Sequence, residues 1–134
     1  MRFIFSHVVK FDESALKDIE LIYTQHICSE IQSKLIKGIT KIICKFINVP
    51  ELAMKGAILK ALREWENRNG ISVNILATMP IGKRLNAVKE IFSVSKRMIK
   101  NLVLTPIDRN ETFIDISFER AFRYFLEHFS DYQR

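Results

Sequence analysis

Four lysines recur at intervals of three or four residues in the middle of the chain, and such a row can bind an anionic surface. The lysine row consists of Lys34, Lys37, Lys41 and Lys45. At 100° per residue these lysines fall within an arc of about 80° on a helix, opposite apolar residues that include Ile36, Ile39 and Ile43. On a β-strand, one face would alternate lysine with apolar residues and bury the lysines. The pattern therefore predicts a helix over residues 34–46, with the lysine row on its exposed face.

A second set of basic residues lies on one side of a predicted helix over residues 83–100. This second basic face consists of Lys89, Lys96, Arg97 and Lys100. Its members cluster within about 100° of arc, away from apolar residues such as Val88 and Ile91. Long cationic side chains match a phosphate backbone and give salt-sensitive, sequence-tolerant binding. The alternative interpretation is that these basic faces only contact solvent, because an ordinary surface helix shows the same arrangement of basic and apolar residues. No aromatic residue lies within either basic arc, since Phe92 belongs to the apolar face of its helix, so base stacking is not predicted.

The distribution of charge along the chain favours an anionic partner. The protein has 21 Lys and Arg against 15 Asp and Glu, a net charge of +6. Residues 34–100 contain 14 of the basic residues and only 4 of the acidic ones, so the middle of the chain carries the positive field. We expect the partner to be nucleic acid or an acidic protein. An anionic membrane surface is a third candidate.

The remaining chemically active residue types do not form a catalytic or metal-binding pattern. Residues 77–84 contain the Gly-Lys pair of a phosphate loop, but Ala77 replaces its first glycine and Arg84 replaces its Ser or Thr. A simpler anion site at the N-terminus of the following helix is the alternative. His26 and Cys28 would point about 160° apart on a helix and could not share a metal ion. We therefore predict no catalytic residue, no metal and no cofactor, and expect a protein that is not an enzyme.

Helical periodicity covers most of the chain that must position these residues. Apolar residues recur every three or four positions over residues 13–47, and Gly38 is the expected break between two helices. A third helix is predicted over residues 51–69, with Gly70 at its C-terminal end. Its buried stripe includes Trp65, which we interpret as a core residue rather than a stacking platform.

Three other parts of the sequence favour β-structure. Residues 2–9 are aromatic and β-branched, and residues 71–78 alternate apolar with polar side chains. Residues 102–105 and 112–117 are short β-like runs on either side of a polar loop, which predicts a hairpin. The predicted fold is therefore α+β and helix-dominated, with four or five helices covering a small sheet. An all-α bundle is the alternative.

The last predicted helix, over residues 118–132, carries an aromatic stripe. The stripe consists of Phe118, Phe122, Phe125 and Phe129. These side chains lie within about 60° of one another and must be buried. They pack on the protein's own core, or they form a self-association seam, because their spacing also matches a short heptad pattern. The second interpretation predicts a homo-oligomer.

Length and composition predict one domain over residues 1–134, since 134 residues with 48% hydrophobic content form a single core. The sequence predicts no secretory signal and no transmembrane segment. Only two cysteines are present, and we expect them to be reduced in a cytoplasmic protein.

The expected function is that of a non-enzymatic accessory protein that binds a nucleic-acid backbone. The alternatives are an interaction or assembly subunit that docks an acidic partner, and an enzyme of a type without a recognisable motif.

Overall fold

The computed structural model of the protein describes residues 9–104 and 108–128. These residues contain five α-helices and one short 3-10 helix. The α-helices are α1 (Glu13–Thr24), α2 (Glu30–Ile43), α3 (Glu51–Asn69), α4 (Ile81–Lys100) and α5 (Asp108–Glu127). The 3-10 helix, Val73–Thr78, connects α3 to α4. The helix-dominated part of the prediction is confirmed.

Helix α3 is the central element of the fold. It packs against α1, α2 and α4, while α5 packs against α4 and α2. Small residues let α1 approach α3 closely, because the backbone of Ile19 lies directly over Gly56. Trp65 is buried in the core, as predicted, together with Ile58 and Leu62 from the same helix. Gly70 adopts the left-handed conformation that ends α3, with φ of 67°, and this confirms the predicted end of the helix.

The break between the first two helices was predicted at the wrong residue. Gly38 lies inside α2, whereas the chain turns over residues 25–29. Ser29 begins α2 with a capping box, in which its side chain accepts from the Gln32 N–H and Gln32 accepts from the Ser29 N–H. This reciprocal cap is a stronger local signal than one glycine. The cost of a glycine inside a helix, about 1 kcal/mol, is offset by the burial of its apolar neighbours.

The small sheet is not found in the residues that the structure describes, and the all-α alternative is correct there. The only β-type pairing in this part of the chain is an isolated bridge between Phe11 and Val103. The predicted strand over residues 71–78 is instead the 3-10 helix, which buries Val73 and Leu76 at a spacing of three. The first predicted strand, over residues 2–9, lies outside the described residues except for its last position.

The predicted late hairpin is also wrong, because residues 112–117 belong to α5. Their β-branched side chains favoured a strand, but the buried residues of this region recur at helical spacing. These residues are Ile114, Phe118, Ala121 and Phe125. A continuous apolar stripe of this kind requires a helix, so α5 begins ten residues before the predicted start at 118.

Two members of the aromatic stripe, Phe118 and Phe125, are buried in the protein's own core. Phe122 and Phe125 both contact Phe92 of α4, with ring centroids 5.3 and 5.9 Å away. Phe129 lies outside the described residues. The three described side chains therefore join α5 to the rest of the domain, as the core interpretation predicts.

Both cysteines are free thiols. Burial, reinforced by the nearby Glu51 carboxylate, raises the pKa of the Cys44 thiol to about 11. Its Sγ donates a weak hydrogen bond to the Val49 carbonyl oxygen at 3.8 Å. Since the thiolate is the reactive form, Cys44 is an unreactive part of the core at neutral pH.

Across residues 9–104 and 108–128, no helix combines the length and apolar character that crossing a membrane requires.

Candidate functional site

The lysine row lies on the exposed face of α2, as the sequence predicts. All four lysines are exposed, whereas Ile36, Ile39 and Ile43 are almost fully buried. The predicted helix is confirmed as far as Ile43, and the row's last member lies in the turn that follows. Because the apolar face is fixed in the core, the opposite face presents the lysines to solvent, together with Glu30 in the first turn of α2.

Most of the positive charge of the lysine row is not neutralised by the residues that the structure describes. Lys34 lies 3.6 Å from the Glu30 carboxylate in an exposed pair, which stabilises little and leaves the lysine free to exchange partners. The other three lysines have no carboxylate within 4.0 Å among the residues described. The Nζ of Lys45 lies over the Tyr124 ring, 5.6 Å from its centroid.

The second basic face is arranged differently, because three of its four cations pair with acids on neighbouring helices. Arg97 donates to both carboxylate oxygens of Glu64 on α3, at 2.9 and 2.8 Å. Lys96 and Lys100 lie 3.4 and 2.6 Å from the Asp115 carboxylate on α5. These cations connect α4 to α3 and α5, so they are less available to an external anion than the lysine row.

The Asp115 pairs make a testable contribution to stability. Burial acts to raise the pKa of the Asp115 carboxyl, but the hydrogen bond and charge of Lys100, helped by Lys96, outweigh burial and lower it from 3.8. A lowered folded-state pKa stabilises the protein above the unfolded pKa, and this contribution is lost as the pH falls through the folded value. The pairs are partly exposed, so their contribution is small, on the order of 1 kcal/mol.

We expect Asp115→Asn to reduce the free energy of unfolding at pH 7 by up to about 1 kcal/mol. The difference from the wild type should shrink as the pH falls below the unfolded-state pKa and through the lower folded-state value, because the wild-type carboxyl then becomes protonated. Urea denaturation at several pH values measures both quantities. A difference that stays constant over this pH range would show that the loss is steric rather than electrostatic.

Tertiary structure also brings two aromatic rings to the C-terminal end of the lysine row. Tyr124 and His128, which we call the aromatic pair, are stacked with ring centroids 4.1 Å apart. Phe46, next to the last lysine of the row, contacts Tyr124 edge-on at 6.0 Å. Sequence reasoning missed this contact, because no aromatic residue interleaves with the lysines along the chain. The available signal was the i,i+4 spacing of Tyr124 and His128, which places both rings on one side of α5.

The weaker candidates from the sequence do not gain support. The segment over residues 77–84 begins in the last two residues of the 3-10 helix rather than after the strand that a phosphate loop follows. His26 engages both ring nitrogens, which lie 2.9 Å from Arg63 Nη2 and 3.2 Å from Gln32 Oε1. Within the described ranges, no three His, Cys, Asp or Glu side chains converge as metal ligands would.

Comparisons with known proteins found no matching family model, no matching curated protein and no matching solved structure. The case for a function therefore depends on the lysine row, on the pairing of the second basic face and on the aromatic pair.

Proposed function

We propose that the protein is a non-enzymatic accessory protein that binds a nucleic-acid backbone through the lysine row of α2. The observation that carries this proposal is the contrast between the two basic sets. The lysine row is exposed and largely unpaired, whereas Lys96, Arg97 and Lys100 are paired with acids inside the protein. Lys89, the remaining member of the second basic face, is exposed and is retained as a secondary contact.

The length of the lysine row suits several consecutive phosphates. At a rise of 1.5 Å per residue, Lys34 and Lys41 are about 10 Å apart along the helix axis. Successive phosphates of one B-DNA strand advance about 3.4 Å along the duplex axis, so this span covers about three of them. Each phosphate that a lysine neutralises releases counterions, so binding weakens as salt increases. The row carries no element that reads base edges, and we therefore expect sequence-tolerant binding.

An acidic protein is the second candidate partner. The observation that favours it is the exposed side chain of Ile27, which is 94% accessible in the turn that leads into α2. Protein interfaces combine an apolar contact with a charged rim, and Ile27 lies seven residues before the first lysine of the row. A nucleic-acid backbone offers no apolar surface for Ile27 to contact. If the partner is an acidic protein, the wild type should not bind the oligonucleotide used in the following experiment.

The experiment compares two triple variants with equal net charge. Lys37, Lys41 and Lys45 are replaced with Gln in the first, and Lys17, Lys60 and Lys83, exposed on three other helices, are replaced in the control. We expect the first variant to bind an oligonucleotide about 100-fold more weakly at 100 mM salt, because three counterion-releasing contacts are lost. The slope of log affinity against log salt should fall by about 2.7 for a duplex, at 0.9 for each lost contact, and by about 2.1 for a single strand, at 0.7 for each.

The control variant should keep affinity within about threefold and should keep the salt slope of the wild type. Fluorescence anisotropy of a labelled oligonucleotide, titrated at several salt concentrations, measures both quantities. An equal loss in both variants would mean that the net charge of the whole protein, and not the lysine row, is responsible. Absence of oligonucleotide binding by the wild type would reject the proposal and leave the acidic protein as the candidate.

A further inference from the structure

We infer that the aromatic pair of Tyr124 and His128 receives an unpaired nucleobase, so that the ligand is a single-stranded rather than a duplex nucleic acid. This inference rests on the proposed function and specifies its substrate class. A base that stacks on the pair would extend the stack of rings at the C-terminal end of α5. Every nucleobase has an aromatic face, so stacking of this kind tolerates any sequence.

The aromatic pair is held in place before any ligand arrives. The two rings are inclined by only 23°, and the His128 Nδ1 lies 2.9 Å from the Tyr124 carbonyl oxygen, to which it donates. The His128 backbone N–H also donates to the Tyr124 and Phe125 carbonyl oxygens. Phe46 supports the edge of the Tyr124 ring from the turn after α2. Fixed rings lose little conformational entropy when a base binds.

The position of Lys45 connects the aromatic pair to the lysine row. Its exposed side chain extends from the end of the row and places Nζ 5.6 Å from the centre of the Tyr124 ring. A strand that follows the row would therefore bring its phosphates to the lysines and its next base to the rings. Basic grooves combined with aromatic side chains are the usual means of binding single strands. A duplex keeps its bases stacked inside and would use the lysines alone.

The aromatic pair differs from the other ring cluster of α5. Phe122 and Phe125 contact Phe92 between α4 and α5, where Phe92 and Phe125 are buried. Tyr124 and His128 are both partly exposed and lie beside unpaired positive charge. Of these two ring clusters of α5, the aromatic pair is therefore the one that combines accessibility with a neighbouring lysine of the row.

The test compares affinities for an oligothymidine and for a duplex hairpin with the same number of phosphates, at one salt concentration. We expect the wild type to bind the single strand about tenfold more tightly, since stacking on a protein ring contributes roughly one order of magnitude per base. Tyr124→Leu and His128→Ala should each remove most of this preference and leave duplex affinity within about twofold. Tyr124→Phe, which keeps the ring, should bind the single strand as tightly as the wild type does.

Tyr23→Leu is the matched control variant. The Tyr23 ring also has a lysine over it, with Lys55 Nζ at 5.8 Å, but it lies on α1 against α3 rather than at the lysine row. This variant should bind both oligonucleotides as the wild type does. If the loss of any lysine-capped tyrosine weakened single-strand binding, the inference would be wrong.

Proton NMR of the His128 ring gives a readout that a purely structural role would not change. Added oligothymidine should shift these ring protons upfield through the ring current of a stacked base, and the duplex should not. Equal affinities of the Tyr124→Leu variant and the wild type for oligothymidine, with no shift at His128, would overturn the inference. In that case, weakened binding by the lysine-row variant would still support the proposed function. Absence of all oligonucleotide binding would reject both.

Discussion

Replacing Gly56 with alanine is expected to lower the free energy of unfolding by about 3 kcal/mol, the upper part of the range for overpacking a well-packed interior. A Cβ at this position would overlap the carbonyl oxygen of Ile19 and lie 2.9 Å from its carbonyl carbon. Both are backbone atoms of α1, so a side-chain rotation cannot relieve the clash. Helix α1 would have to move away from α3 and lose part of the packing between them.

Gly82→Ala is the control for this substitution. Gly82 lies in the first turn of α4, and a Cβ at this position would contact nothing within 4 Å beyond its own stretch of helix. Alanine has the higher helix propensity, so this variant should be as stable as the wild type or more stable by up to about 1 kcal/mol. Urea denaturation followed by far-ultraviolet circular dichroism measures both variants. Equal stability of Gly56→Ala and the wild type would show that α1 and α3 are farther apart than the structure places them.

Phe125→Ala should cost about 3–5 kcal/mol of stability, the usual range for removing a buried aromatic side chain. Phe125 is only 5% exposed and contacts Phe92 and Phe122, so the substitution leaves a cavity where α4 meets α5. The neighbouring residue Leu126 is 45% exposed, and Leu126→Ala should change stability by no more than about 1 kcal/mol. The two substitutions separate loss of the core contact from any general effect on the helix.

Sedimentation of the same variant distinguishes the core interpretation from a self-association seam. If Phe125 packs in the core of its own molecule, Phe125→Ala should unfold at a lower denaturant concentration than the wild type. The wild type and the folded variant should then have the same molecular mass in sedimentation. In a seam role, the variant would have a lower mass than the wild type and would remain a folded monomer. A variant with the mass and the stability of the wild type would contradict both roles.

Helices with a long amphipathic pattern could be predicted from the sequence because one face of each had to be buried. The Lys and Ile arcs of α2 and the buried stripe around Trp65 in α3 are of this kind. The segment over residues 71–78 could not be predicted in this way. Eight residues are too few to separate a period of two from a period of three, and Ile75, expected on the buried face, is exposed.

Residues 112–117 show a different reason for error. Their local β-propensity was real, but burial of Ile114 in line with Phe118 required a helix, and tertiary packing outweighed propensity. The candidate site likewise has one part that depends on a single helix and another part that depends on how helices pack. The exposed face of α2 follows from one helix and was predicted, whereas the pairing of Arg97 with Glu64 depends on how α4 packs on α3. The contact of the lysine row with Tyr124 likewise depends on the packing of α2 and α5.

The pairing of the second basic face affects how the proposed nucleic-acid ligand would approach the protein. Glu64 and Asp115 offset part of the positive charge on α4, whereas Lys37, Lys41 and Lys45 have no carboxylate within 4.0 Å among the described residues. A charge distribution of this kind turns an incoming polyanion toward one face before contact and raises the association rate, most strongly at low ionic strength. For the proposed nucleic-acid ligand, we therefore expect diffusional encounters to begin at α2.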